Sequence, residues 1–199
     1  DVVYSMQADE AVNVGTDDQG VVIELASSAF YKPGSADIRP EAFPVLQKMA
    51  QTLDSPRYKT YVIEIEGHTD DDPIHTARYP SNWELSAGRA SGVVCLFIEY
   101  GMDGTRMKAT GFAETRPKVP NRDTNGAPIR ENQSTNRRVL IRVYPMSLDE
   151  RKEMQEKIEI EQLISEEQEG IKIEQLTSEE KESPGAQTQS GEASDRRTQ

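Results

Sequence analysis

The sequence has one cysteine, two histidines, one tryptophan and no long apolar run. A single thiol excludes an internal disulfide. Cys95 lies in the apolar run Val93-Val94-Cys95-Leu96-Phe97-Ile98, which predicts a small core residue. No stretch approaches the roughly 20 apolar residues of a membrane span, and no signal peptide is visible. The chain opens at Asp1, without Met and within polar sequence, and reads as a mature or truncated product. Basic residues are outnumbered 23 to 35 and form no stripe. Nucleic acid is therefore excluded as a partner, because phosphate contacts need clustered Lys and Arg.

Catalytic signatures are equally scarce. No glycine-rich phosphate loop and no nucleophile elbow occurs. No pair of acids stands out among 35 as a glycosidase dyad. His68, Asp70, Asp71, Asp72 and His75 share a loop, but without His-x-x-x-His or cysteine spacing. They read as exposed acids with a histidine that packs or hydrogen-bonds. The chain is expected to be no enzyme, with no metal, no cofactor and no catalytic residue.

Hydrophobic residues make up only 35% of the sequence, so part of the chain is expected not to pack. Charge is uneven. Residues 147–199 hold 15 acidic and 7 basic residues, a net of −8, which leaves 20 and 16 in the first 146, a net of −4. The expected organisation is a linker over 1–19 with one short strand at most, a domain over 20–145, an acidic helical extension over 146–182, and a disordered tail over 183–199.

Within 20–145 the hydrophobic period alternates between strand and helix. Strands are predicted at 20–25, 61–67, 106–112 and 139–144. Helices are predicted at 41–53, at 83–100 with Ser81 or Asn82 as its cap, and at 130–136. The order β-α-β-α-β-α-β implies an α+β fold, a two-layer α/β sandwich. Along the second helix, Trp83, Ala87, Ala90, Val94 and Phe97 share one side and are expected in the core. A charged helix is predicted over 147–169. There Ile160-Glu-Gln-Leu-Ile-Ser-Glu-Glu167 is echoed by Ile173-Glu-Gln-Leu-Thr-Ser-Glu-Glu180; two copies do not make a solenoid.

The informative segment is Glu66-Gly-His-Thr-Asp70 followed by Ser81-Asn-Trp-Glu-Leu-Ser-Ala-Gly-Arg-Ala90. Asp70 lies just past a strand end. Asn82, Leu85, Ser86 and Arg89 share one helix face at i, i+3, i+4 and i+7. A carboxylate and a guanidinium set apart across a crevice suit a zwitterion: one holds an ammonium, the other clamps a carboxylate. The plainer alternative is an ordinary Asp70–Arg89 salt bridge.

The run Gly67-His68-Thr69-Asp70, the string Ser81-Asn82-Trp83-Glu84-Leu85-Ser86 with Arg89-Ala90, then Gly111-Phe112-Ala113-Glu114 with Pro117, and Asn136-Arg137-Arg138-Val139 resemble, in that order, the OmpA-like peptidoglycan-binding family. The Ser-Asn-Trp-Glu-Leu-Ser string, the longer loop Asp71 to Pro80 and the segment Phe30 to Ala36 resemble the family's MotB-type flagellar stator anchors. The resemblance implies a ligand, the diaminopimelate side chain of the peptide stem. It implies that Asp70 takes the ammonium and Arg89 the carboxylate, that Asn82, Leu85 and Arg137 line the pocket, and that Thr69 adds hydrogen bonds. Arg138 serves structure as much as ligand. Gln133 stands where relatives carry Arg, and Leu140 where many carry Glu.

By the same resemblance the chain anchors a flagellar stator to the wall. It faces the periplasm, forms a homodimer, and is held in the inner membrane beside a membrane-embedded stator partner through an upstream segment. The alternatives are a structural tether between outer membrane and peptidoglycan, and an enzyme acting on the wall.

Overall fold

The computed structural model describes residues 11–182, of which residues 170 and 173–182 are described as helical backbone alone. The expected disordered tail over 183–199 and the first ten residues of the expected linker lie outside the described residues. Among the described residues, five strands and five α-helices follow in chain order: β1 (Val12–Thr16), β2 (Val21–Ala26), α1 (Ser27–Phe30), α2 (Phe43–Leu53), β3 (Tyr61–His68), α3 (Asn82–Glu99), β4 (Met107–Gly111), α4 (Arg130–Asn136), β5 (Arg138–Pro145) and α5 (Leu148–Glu182). The α+β fold expected from periodicity is present. The segment read as linker supplies one short strand, β1, which turns back onto β2 through Asp17, whose carboxylate accepts from the Gln19 and Gly20 amides.

The strands form one sheet in the order β1-β2-β5-β3-β4. Only β3 and β4 run parallel; every other pair is antiparallel. That parallel pair requires a crossover, and α3 makes it. The sheet is one-sided. Ile63 and Ile65 on β3 pair with Val143 and Ile141 on β5, and all four are buried in the core with Leu46 of α2 and Val93 and Phe97 of α3. The intervening residues face the other way as a charged surface. There Glu66 accepts from Arg142 at 2.9 Å and Tyr144 donates to Glu64 at 3.0 Å.

Helix α3 departs from the expected core face. Its buried residues are Asn82, Leu85, Ser86, Arg89, Ala90, Val93, Leu96 and Phe97. Of the expected inward set, Ala90 and Phe97 are buried, but Trp83 is 50% exposed. One residue beyond Asn82, Trp83 is turned about 100° away from the inward stripe. The stripe runs through the polar residues Asn82, Ser86 and Arg89, so an apolar pattern alone misplaces it. Cys95, expected in the core, is exposed. Val93, Leu96 and Phe97 take the inward positions around it and leave its side chain on the outer surface.

The chain divides into two compact units, residues 1–154 and 155–199. The charged helix expected over 147–169 runs as α5 from Leu148 to Glu182 and leaves Ile160, Leu163, Ile164 and Ile171 exposed. Among the described residues no helix is long and apolar enough to cross a membrane.

Candidate functional site

The site forms where β3 ends and α3 begins, and two glycines permit it. A Cβ on Gly67 would meet the Ser86 carbonyl oxygen at 2.0 Å, and one on Gly111 would meet the Ala87 nitrogen at 2.6 Å. The helix therefore rests directly on the backbone of the parallel strands, which brings its buried polar stripe to the strand ends. Ser81 starts the helix by accepting from the Trp83 amide, while Glu84 reaches back to the Ser81 amide at 2.8 Å, a capping box. Ser81 is thus the cap, and Asn82 is the first helical residue.

Asp70 and Arg89 both lie at this junction and both are buried, 6% and 4% exposed. They do not pair with each other. The Asp70 carboxylate accepts a hydrogen bond from Arg137, which caps the C-terminus of α4 and whose side chain stays 38% exposed. The expected alternative of an Asp70–Arg89 salt bridge gives way to an Asp70–Arg137 pair. The reason lies in how Arg89 is held. Its Nε donates to the Ser35 carbonyl at 2.9 Å, and its guanidinium lies 5.3 Å from the centre of the Tyr31 ring. The Tyr31 hydroxyl in turn donates to the Arg89 carbonyl at 3.1 Å.

Burial pushes the Arg89 guanidinium below its ordinary value; Tyr31 and Asp70 oppose that shift and Arg137 adds to it. Burial likewise raises the Tyr31 phenol despite the nearby Arg89. Arg89 Nη1 is buried and has no hydrogen-bond partner. An unsatisfied charged donor at near-zero exposure is costly.

The other expected residues divide by role. Thr69 donates its hydroxyl to the Asp70 carbonyl at 2.8 Å and its amide to Ala113 at 2.9 Å, so it shapes the loop. Ala113 holds a φ of 48°, and its own amide donates to Ser86 Oγ at 3.0 Å. Asn82 is fully engaged. Its amide nitrogen reaches the Asp70 and Asp72 carbonyls and Glu114, and its oxygen accepts from the Ile74 amide at 3.3 Å. Leu85 is buried on the same helix face, 5% exposed. Arg138 donates to the Asn136 and Arg116 carbonyls, while Asn136 holds the Lys118, Val119 and Asn121 stretch. Arg137 is the member of this run that faces the Asp70 carboxylate.

Two features were hidden in sequence. Asp71 and Asp72, expected as exposed acids, are partly buried in ion pairs with Arg122 and Arg130 and accept from Gln133. Burial raises the Asp71 carboxyl, but the Gln133 amide and Arg122 outweigh it and hold the group below its usual range. Ser35 and Tyr31 support Arg89 from a segment over 50 residues away. The departure at Gln133 was the one available signal. On the outer sheet face His68 stacks on Phe112 at 5.4 Å and lies 3.3 Å from Glu66. Among the described residues no group of three His, Cys, Asp or Glu could hold a metal ion.

Residues 30–131 match the model of the OmpA family. Two curated relatives from Bacillus subtilis are similar over the same region. One is named uncharacterized protein YtxE, 40% identical over 63% of this chain and 48% of its own length. The other is Motility protein B, 33% identical over 68% of this chain and 49% of its own length. The chain spans about half the length of these relatives. Among solved structures, the cell wall anchor of the Pseudomonas aeruginosa type VI secretion system superposes with a TM-score of 0.62 at 29% identity, over 73% of this chain and 95% of the anchor.

Proposed function

Because this chain belongs to the OmpA family, we propose that it binds peptidoglycan non-covalently and serves as a fixed point on the cell wall. One observation carries the reading: a buried arginine with an unpartnered Nη1 stands at the same junction as a carboxylate whose partner, Arg137, keeps its side chain 38% exposed. A diaminopimelate head carries the complementary charges. Its ammonium competes with Arg137 for Asp70, and its carboxylate satisfies Arg89 and the released Arg137. Thr69, Asn82 and Leu85 shape the pocket around these charges. The chemistry is binding without bond cleavage.

The finer assignment is a MotB-type stator anchor. It is supported by the likeness to Motility protein B. The domain then faces the periplasm and works as a dimer. A segment beyond this chain holds it in the inner membrane beside the stator partner. Many copies share the load through weak individual grips. A tether between outer membrane and wall uses the same pocket and is separated by what the full-length protein is joined to.

Co-sedimentation with purified sacculi tests the pocket. Asp70→Ala and Arg89→Ala, each checked for an intact fold, are expected to weaken binding by about 2–5 kcal/mol, the cost of leaving one charge of the pair unpaired. Stem peptide with lysine in place of diaminopimelate, lacking the side-chain carboxylate, should lose the Arg89 contribution. Unchanged binding by both variants would end the assignment; release of soluble fragments would make the protein an enzyme.

A further inference from the structure

Three consecutive aspartates, Asp70-Asp71-Asp72, lead out of β3; their nearest arginines differ, and Arg122 also lies 3.6 Å from Asp72. Asp70 pairs with Arg137, Asp71 with Arg122 at 2.5 Å, and Asp72 with Arg130 at 2.7 Å. Three adjacent carboxylates repel one another, and the arginines offset that repulsion. Gln133 sits at the centre of the arrangement with 0% exposure. Its one amide nitrogen donates to Asp71 Oδ1 at 2.8 Å and to Asp72 Oδ1 at 3.0 Å, while its oxygen accepts from Arg130 at 3.1 Å. A neutral amide supplies these bonds without burying a further guanidinium, whose desolvation would be costly. From the opposite side Asn82 holds the Asp72 carbonyl at 3.1 Å and the Ile74 amide at 3.3 Å. The main chain carrying Asp70 is therefore gripped between α3 and α4.

We propose that Gln133, together with Arg122 and Arg130, is a positioning clamp that fixes the Asp70–Asp72 loop and so sets how tightly the site holds an ammonium-bearing ligand. The ligand part rests on the peptidoglycan reading above; the clamp itself does not. None of the three residues touches the ligand. Their effect is preorganisation. A loop competent for a tenth of the time binds about tenfold more weakly, even though every group that meets the ligand is still present.

The test uses Gln133→Leu, which keeps the volume and removes both donors, and the surface pair Arg122→Gln/Arg130→Gln, which leaves the core untouched. Amide hydrogen exchange is read across residues 71–76, with β3 as the internal reference, and sacculus affinity is measured on the same samples. Both variants are expected to speed loop exchange about tenfold, to leave β3 exchange unchanged, and to weaken affinity about tenfold in step. The arginine pair should also show a shallower loss of affinity with added salt than the parent, because its screened ion pairs are already gone. Parental loop exchange in the variants, faster exchange with parental affinity, or equal salt slopes would each overturn the proposal. Should Gln133→Leu fail to fold, the arginine pair carries the same readouts. Should the parent not bind sacculi, the peptidoglycan reading fails and loop exchange alone decides the clamp.

Discussion

Gly67 and Ser86 are in backbone contact: a Cβ on the glycine would lie 2.0 Å from the serine carbonyl oxygen. That closeness sets α3 onto the ends of the parallel strands and carries Asn82 and Arg89 to the Asp70 loop. Gly67→Ala is expected to force the helix off the sheet and destabilise the fold by about 3 kcal/mol or more, at the upper end for overpacking. Gly15→Ala is the control, since nothing lies within 4 Å of its Cβ; it should change stability by no more than about 0.5 kcal/mol. Urea unfolding of the two variants checks both, and equal effects would refute the close-approach argument.

His68 makes stability pH-dependent. Burial lowers its pKa from the ordinary 6.5, against the opposing pull of Glu66. As pH falls through 6.5 the unfolded chain takes up the proton first, so the fold loses stability from there until His68 itself protonates. Above 6.5 both states are neutral and the residue adds no slope. Glu66 acts in the same direction at lower pH. Burial raises its carboxyl, but His68 and Arg142 outweigh that and depress it below 4.5, so its stabilisation is lost as pH falls further. Thermal melts from about pH 8 to about pH 4 should show a declining acid limb whose onset, as pH falls through 6.5, is flattened by His68→Gln. An unchanged limb would show that the histidine is not held neutral.

Cys95 projects from the outer face of α3. It should react with a thiol reagent in the native protein at the rate of an ordinary exposed cysteine, without denaturant. Protection until unfolding would restore the core position expected from its apolar neighbours.

The acidic helix α5 extends past the first compact unit, which ends at Met154. No residue assigned to the candidate site comes from it. Truncation after Met154 is expected to leave sacculus binding within about twofold of the parent, since every residue assigned to the site lies within the first unit. A larger loss would bring the extension into the site.

Much of this was legible in the sequence because it is local. Strands β2, β3, β4 and β5 and helices α2, α3 and α4 follow from hydrophobic period, proline and glycine placement, and the Ser81–Glu84 cap. The motif strings around Asp70, Arg89 and Arg137 carry the family. Even the stripe Asn82, Leu85, Ser86 and Arg89 follows from helical spacing. Which helix face turns inward did not, because burial depends on what opposes the helix. Two glycines on β3 and β4 let a polar stripe pack where an apolar one was expected, and that turned Trp83 and Cys95 outward. The partner of Asp70 was also beyond local pattern. Arg89 is held by Tyr31 and Ser35, so Arg137, 67 residues away, takes the carboxylate. The amino-acid order thus determined the elements, the family and the charges available. Only tertiary packing decided which charges meet, because pairing between residues tens of positions apart is set by how the sheet and helices close on one another.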